Sequence, residues 1–114
     1  MNGWIALTSP EHLRDVRERS FLKPQLVFKH SIWCGTSAHI HDILDDATLS
    51  LREKGLELNF LDLINHRPVS NLVAEDFGVV HQSPQVILIH EGKAVYNASH
   101  YSIDPKRIIS AIPA

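Results

Sequence analysis

The chain has no second cysteine: Cys34 is the only one. An internal disulfide is thereby excluded, and so is every metal site built from cysteines alone. It also lacks an apolar run long enough to span a membrane, and its N-terminus does not show the charged-then-apolar pattern of a signal peptide. A cytoplasmic location is expected. Neither sign of charge dominates. Eleven basic and thirteen acidic residues are interspersed and leave a net charge of −2, so no field attracts nucleic acid or an anionic membrane. Repeats, linkers and low-complexity segments are absent as well. With 44% hydrophobic and 21% charged residues, the 114-residue chain has an ordinary globular composition. It predicts a single domain over residues 1–114 that buries roughly two-thirds of its unfolded surface.

Where apolar runs do occur they are short and punctuated. Trp4-Ile5-Ala6-Leu7 reads as a strand, followed by Ser9 as N-cap and Pro10 at the first helical position. Leu13 and Val16 share a face of that helix to about Ser20, and Asp15 and Arg19 are spaced as an i,i+4 pair outside. Lys23-Pro24 breaks it. Gln25 to His30 then reads as a second strand whose nearly unbroken apolar start predicts burial on both faces, hence a central position. From Gly35, Ile40, Leu44, Ala47 and Leu51 recur at helical spacing up to Gly55, which predicts one long helix. Leu56 to Ile64 is a third strand. Pro68 begins a helix carrying Val69, Val73 and Phe77, which Gly78 ends. Gln85 to Ile89 and Lys93 to Tyr96 flank His90-Glu91-Gly92 as a hairpin. Asp104 and Pro105 open a last helix expected to bury Ile108, Ile109 and Ile112. The order β-α-β-α-β-α-β-β-α, with right-handed crossovers, puts helices on both faces of a mixed sheet. It is the order of a thioredoxin-like α/β fold.

Cys34 follows the second strand as a helix begins, where unpaired backbone N–H groups and the positive end of the helix dipole favour a thiolate. Thioredoxin-like chains carry their reactive thiol at this place, so Cys34 is the candidate nucleophile. Gly35 lets backbone approach a substrate closely, Thr36 lies beside it, and Lys29 and His30 are expected to add positive potential. Ser37 stands where a dithiol oxidoreductase has its second cysteine, so the protein must work with one thiol. Ser37 either donates a hydrogen bond to the thiolate or serves as a first-turn polar residue. A mixed disulfide on Cys34 then needs an outside thiol to release it. Ser83-Pro84 precedes a strand where thioredoxin-like chains place a cis proline facing the thiol, with the Ser83 backbone free to pair with an extended substrate. Trp33 and His81 complete the expected groove. Eight histidines are unusual. His30 and His81 are candidates to tune the thiolate, whereas His12, His66 and His90 read as surface or loop residues. Cys34, His30, His39 and His81 are donors that suit zinc or copper, but their spacing matches no ligand pattern and no metal is expected.

Phe28-Lys29-His30-Ser31, Cys34 with Ser37, Arg67-Pro68-Val69-Ser70-Asn71, Val79 with His81, Ser83-Pro84-Gln85-Val86, Gly92, and Ala98-Ser99-His100 with Ile103 together resemble the monothiol bacilliredoxin family, thioredoxin-like proteins of the bacillithiol system. The resemblance covers nearly the whole chain. It implies removal of a low-molecular-weight thiol from protein mixed disulfides, with Cys34 as nucleophile. S-thiolated proteins and a small thiol co-substrate would be the partners of a monomer without a tightly bound cofactor. In glutaredoxin-like proteins the turn before the last helix holds the polar end of the small thiol, which here implicates Ser99, His100 and Ser102; a plain turn cluster is the other reading. One departure stands out. The family typically has proline after its cysteine, and this chain has Gly35-Thr36, so Cys-Gly-Thr-Ser looks like the Cys-Gly-Phe-Ser of monothiol glutaredoxins, which share an iron–sulfur cluster with glutathione. Cluster binding and a non-catalytic binding module are the alternatives.

Overall fold

The computed structural model describes residues 1–32 and 35–114. Its strands are β1 (Ile5–Ala6), β2 (Gln25–His30), β3 (Glu57–Asp62), β4 (Gln85–His90) and β5 (Lys93–Ser99). Its α-helices are α1 (Pro10–Arg19), α2 (Gly35–Asp46), α3 (Thr48–Glu53), α4 (Arg67–Phe77) and α5 (Pro105–Ser110), with a 3-10 turn at His100–Ser102 before α5. The strands form one sheet in the order β1-β3-β2-β4-β5. β2 is central, parallel to β3 and antiparallel to β4, as its unbroken apolar sequence predicts.

Side chains along β2 alternate between the two faces, and each face is sealed by its own core. Leu26 and Phe28 pack with Ile40, Leu44, Leu51 and Ile108 beneath α2, α3 and α5. Val27 packs with Leu13, Val16, Val69 and Val73 beneath α1 and α4. Capping follows the sequence: the Ser9 side chain accepts from His12 N, and Asp104 accepts from Lys106 N. Gly78 ends α4 at φ 66°, a left-handed position that glycine adopts without a Cβ clash.

Five expectations are corrected. The long helix ending at Gly55 is two helices, α2 and α3, parted at Ala47 (φ −91°, ψ 0°). The Thr48 hydroxyl donates back to Leu44 O at 3.1 Å and accepts from Trp4 Nε1 at 2.9 Å, a back-bond that bends a helix and ties the bend to the N-terminal segment. The first strand shrinks to two residues. The third ends at Asp62, whose carboxylate accepts from Ile64 N and from Asn65, making an Asx turn. Arg19 pairs with Glu57 rather than Asp15: Nε donates to Oε1 at 2.7 Å while Nη2 takes the other oxygen, a two-pronged geometry that one helix face cannot offer. Finally, in α5 only Ile108 is fully buried; Ile109 and Ile112 flank the core part-exposed.

The Glu57 contacts make stability pH-dependent. Hydrogen bonds from Arg19, helped by Gln25, hold the Glu57 carboxyl at about 2. A carboxylate depressed on folding stabilises the native state above its ordinary value and loses that contribution as pH falls toward the folded one. Thermal midpoints are therefore expected to drop between about pH 5 and pH 2, and Glu57→Gln should flatten this part of the profile. An unchanged acid limb in Glu57→Gln would show that other carboxylates carry it.

Candidate functional site

Trp33 and Cys34, the expected groove residue and nucleophile, lie outside the described residues. Their neighbours are described on both sides, because β2 ends at His30 and α2 begins at Gly35. Gly35 is exposed, and a Cβ built there meets no described atom within 4 Å, so packing does not demand glycine at this position. Thr36 is half-buried and Ser37 fully buried.

Ser37 is wired into the protein. Its Oγ accepts from Ser31 N at 3.1 Å and lies 2.7 Å from His30 Nδ1. A hydroxyl has one proton, so Ser37 is free to donate it elsewhere only in the tautomer where His30 Nδ1 carries the proton of their contact. The His30 ring rests against Phe28, Phe60 and His41, with centroids 5.3–5.6 Å away. Burial, reinforced by His41, pushes its pKa below the ordinary value, and Asp62 only partly opposes this. Contrary to expectation, burial disfavours the charged form of His30. Ser37→Ala would leave His30 Nδ1 and Ser31 N without this partner, and it is expected to lower stability by about 1–3 kcal/mol. A denaturant midpoint lowered at constant slope would confirm the cost; an unchanged midpoint would mean that the two groups find other partners.

Lys29 points the other way. Successive β2 side chains alternate, so Lys29 shares the Val27 face, away from His30. It is 0% exposed. Its Nζ donates to Ser70 O and to His81 Nδ1, both at 3.2 Å. Burial pushes Lys29 down to about 8. His81 is lowered too, by burial first and then by the positive charges of Lys29 and Arg67. The two candidate histidines therefore lie apart: His30 is on the α2 face, and His81 is bound to Lys29 on the α4 face. His39, the other histidine of the metal reading, pairs with Tyr101 at a ring distance of 6.2 Å instead.

The loop carrying His81 is held from within. The buried side chain of Gln85 donates to Val80 O at 3.1 Å and accepts from Gln82 N at 3.4 Å. Between them the Ser83–Pro84 bond is cis. Pro84 is buried, and Ser83 Oγ is buried with no partner among the described residues. Pro84 O accepts from His100 N at 3.0 Å, and Ser99 lies opposite Gln85 in the β4–β5 register. The turn expected to hold a small thiol is therefore fastened to the cis-proline loop, with His100 and Ser102 exposed. Ser70 and Gln85 were not singled out as site residues. Gln85 had a signal, a polar residue opening the apolar run Gln85-Val86-Ile87-Leu88-Ile89. Ser70 belongs to the matching stretch Arg67-Pro68-Val69-Ser70-Asn71, but its contacts with Lys29 and His81 depend on the tertiary fold.

A central strand followed in the chain by a lone cysteine and then a helix, in a mixed sheet of order β1-β3-β2-β4-β5 covered by helices on both faces, defines a thioredoxin-fold protein. The chain matches the monothiol bacilliredoxin BrxC family over residues 5–108 and belongs to that family. A solved structure described provisionally as an oxidoreductase with a thioredoxin fold is 28% identical, with a TM-score of 0.83 over 96% of this chain and 93% of that one. Thioredoxins from Malassezia sympodialis (13% identity, TM-score 0.75) and Trypanosoma brucei brucei (17%, 0.74) each align over 95% of this chain and 86% of theirs, and they show the shared fold.

Proposed function

We propose that this chain is a cytoplasmic monothiol thiol–disulfide oxidoreductase that removes a low-molecular-weight thiol of the bacillithiol kind from protein mixed disulfides. The observation that carries the reading is the family match over residues 5–108 in a chain whose one thiol falls between the central strand and α2. The Cys34 thiolate attacks the sulfur of the small thiol, the target protein's thiolate departs, and the small thiol stays on Cys34 until a second thiol removes it. With Ser37 in place of a second cysteine, no internal disulfide can compete with that release. The Ser83 backbone and Pro84 would flank the extended target, and Ser99, His100 and Ser102 would hold the polar part of the small thiol. No helix among the described residues is long and apolar enough to cross a membrane. The test is mass spectrometry after mixing the protein with a target carrying a bacillithiol mixed disulfide. One small-thiol adduct on Cys34 and an equal amount of freed target thiol are expected; an unmodified Cys34 beside an unchanged target overturns the reading.

A further inference from the structure

Lys29 poses a physical question that thiol exchange at Cys34 alone does not answer. A wholly buried ammonium is costly, and a well-packed apolar residue of similar volume would usually be no worse for stability. Lys29 has no compensating carboxylate within ion-pair distance among the described residues. The groups presented to it are few. From α4 come the Ser70 carbonyl and, farther off, the charge of Arg67; from the 79–84 loop comes His81. Its register partners, Leu61 on β3 and Gln85 on β4, carry no charge, and α1 offers the apolar Leu13 and Val16. Asp62, the nearest acid in sequence on β3, is registered with His30 and engaged by Asn65.

An ammonium only donates, so His81 Nδ1 must be the acceptor, and neutral His81 carries its proton on Nε2. The Ser70 hydroxyl, 3.4 Å from the same nitrogen, is a second donor toward it. His81 is only half-buried, which makes its ring the bridge between a sealed ammonium and the outside. It is held there by the Gln85 contacts, on the loop that leads into Ser83–Pro84.

We propose that His81 and Lys29 form a proton-delivery pair for thiol exchange: His81 protonates the departing thiolate, and Lys29 positions the ring and replaces its proton. This rests on the reading of Cys34 as the nucleophile. As Cys34 sulfur attacks, one S–S bond forms and one breaks with no net change in oxidation level. The leaving sulfur keeps the bonding electron pair and takes the Nε2 proton. Lys29 Nζ passes a proton to Nδ1 and becomes a neutral amine. Water later reprotonates Nε2, and the Nδ1 proton returns to Lys29. Holding Lys29 at about 8 brings the donor close to an ordinary thiol, at about 8.5, so the transfer is nearly balanced.

The test compares two disulfides on the full chain. With an aromatic disulfide such as 5,5′-dithiobis(2-nitrobenzoate), the leaving thiolate is stable and needs no proton; with oxidised glutathione it needs one. His81→Asn, which keeps an acceptor for Lys29, and Lys29→Met are each expected to slow the glutathione reaction by about 10²-fold more than they slow the aromatic one. The pH profile of the glutathione reaction should lose its basic limb in both variants. Equal slowing of both disulfides, or of neither, overturns the proton-delivery role. His81→Asn decides the matter alone if Lys29→Met does not fold. A wild-type protein inert to both disulfides overturns the reading of Cys34 itself, which the comparison of variants on reactive protein does not.

Discussion

Cys34→Ser is expected to abolish thiol exchange completely. The chain has no other thiol, and disulfide exchange proceeds only through thiolate attack, so no residue can take over at a reduced rate. Release of target thiol should fall to the rate seen without protein, and the small-thiol adduct should vanish from the mass spectrum. A thermal melt of the variant, run beside the assay, separates lost chemistry from lost fold. Exchange persisting above background in a folded Cys34→Ser protein would remove Cys34 from the mechanism. Burial disfavours the charged form of His30, and the Lys29 ammonium is engaged by Ser70 and His81 on the opposite face of β2. In the chain Cys34 directly precedes the start of α2 at Gly35. Cys34 alkylation in the wild type should therefore level off below the free-thiol value of about 8.5, by the modest margin a helix start provides.

The layers of the fold were legible in the sequence because local signals agreed with the tertiary outcome. The run Leu26-Val27-Phe28 marks a strand covered on both faces: Leu26 and Phe28 enter one core and Val27 the other. Ser9, Gly78 and Asp104 mark helix ends by chemistry confined to one turn. What escaped detection depends on partners far along the chain. The break at Ala47 requires Trp4, 44 residues before Thr48, and the Arg19 fork requires Glu57, 38 residues on. Lys29 is the plainest case. A lysine near a strand end ordinarily signals a route to solvent, and here it is buried by contacts 41 and 52 positions away. At the candidate site, position in the fold pointed to Cys34 and to the Ser83–Pro84 bond. Whether the neighbouring charges help the thiol depended on which face each side chain takes. That alternation is readable from period two, but its effect is not readable until the covering helices are in place.

Phe28→Ala is expected to bring the largest loss of stability. Phe28 is fully buried at the middle of the central strand, edge-on to Trp4 (6.1 Å between centroids) and Phe60 (5.9 Å) and tilted against His30 (5.6 Å). Removing a ring from such a place costs the transfer free energy of the lost atoms and leaves a cavity, about 3–5 kcal/mol in all. A small domain has about 5–15 kcal/mol to lose, so the thermal midpoint should fall by on the order of 15 °C. The damage is expected to be directional. His30 leans on Phe28 and Phe60, and Ser37 and Ser31 are fastened to His30, so loosening propagates to the start of α2. The Val27 face has its own core, and Lys29, Ser70 and His81 belong to it. Amide exchange below the midpoint should therefore rise first in Ser31 and the first turn of α2 while α4 stays protected. Uniform acceleration across both faces would show that the two cores unfold as one unit, and the loss at the site would then be no more than a share of global instability.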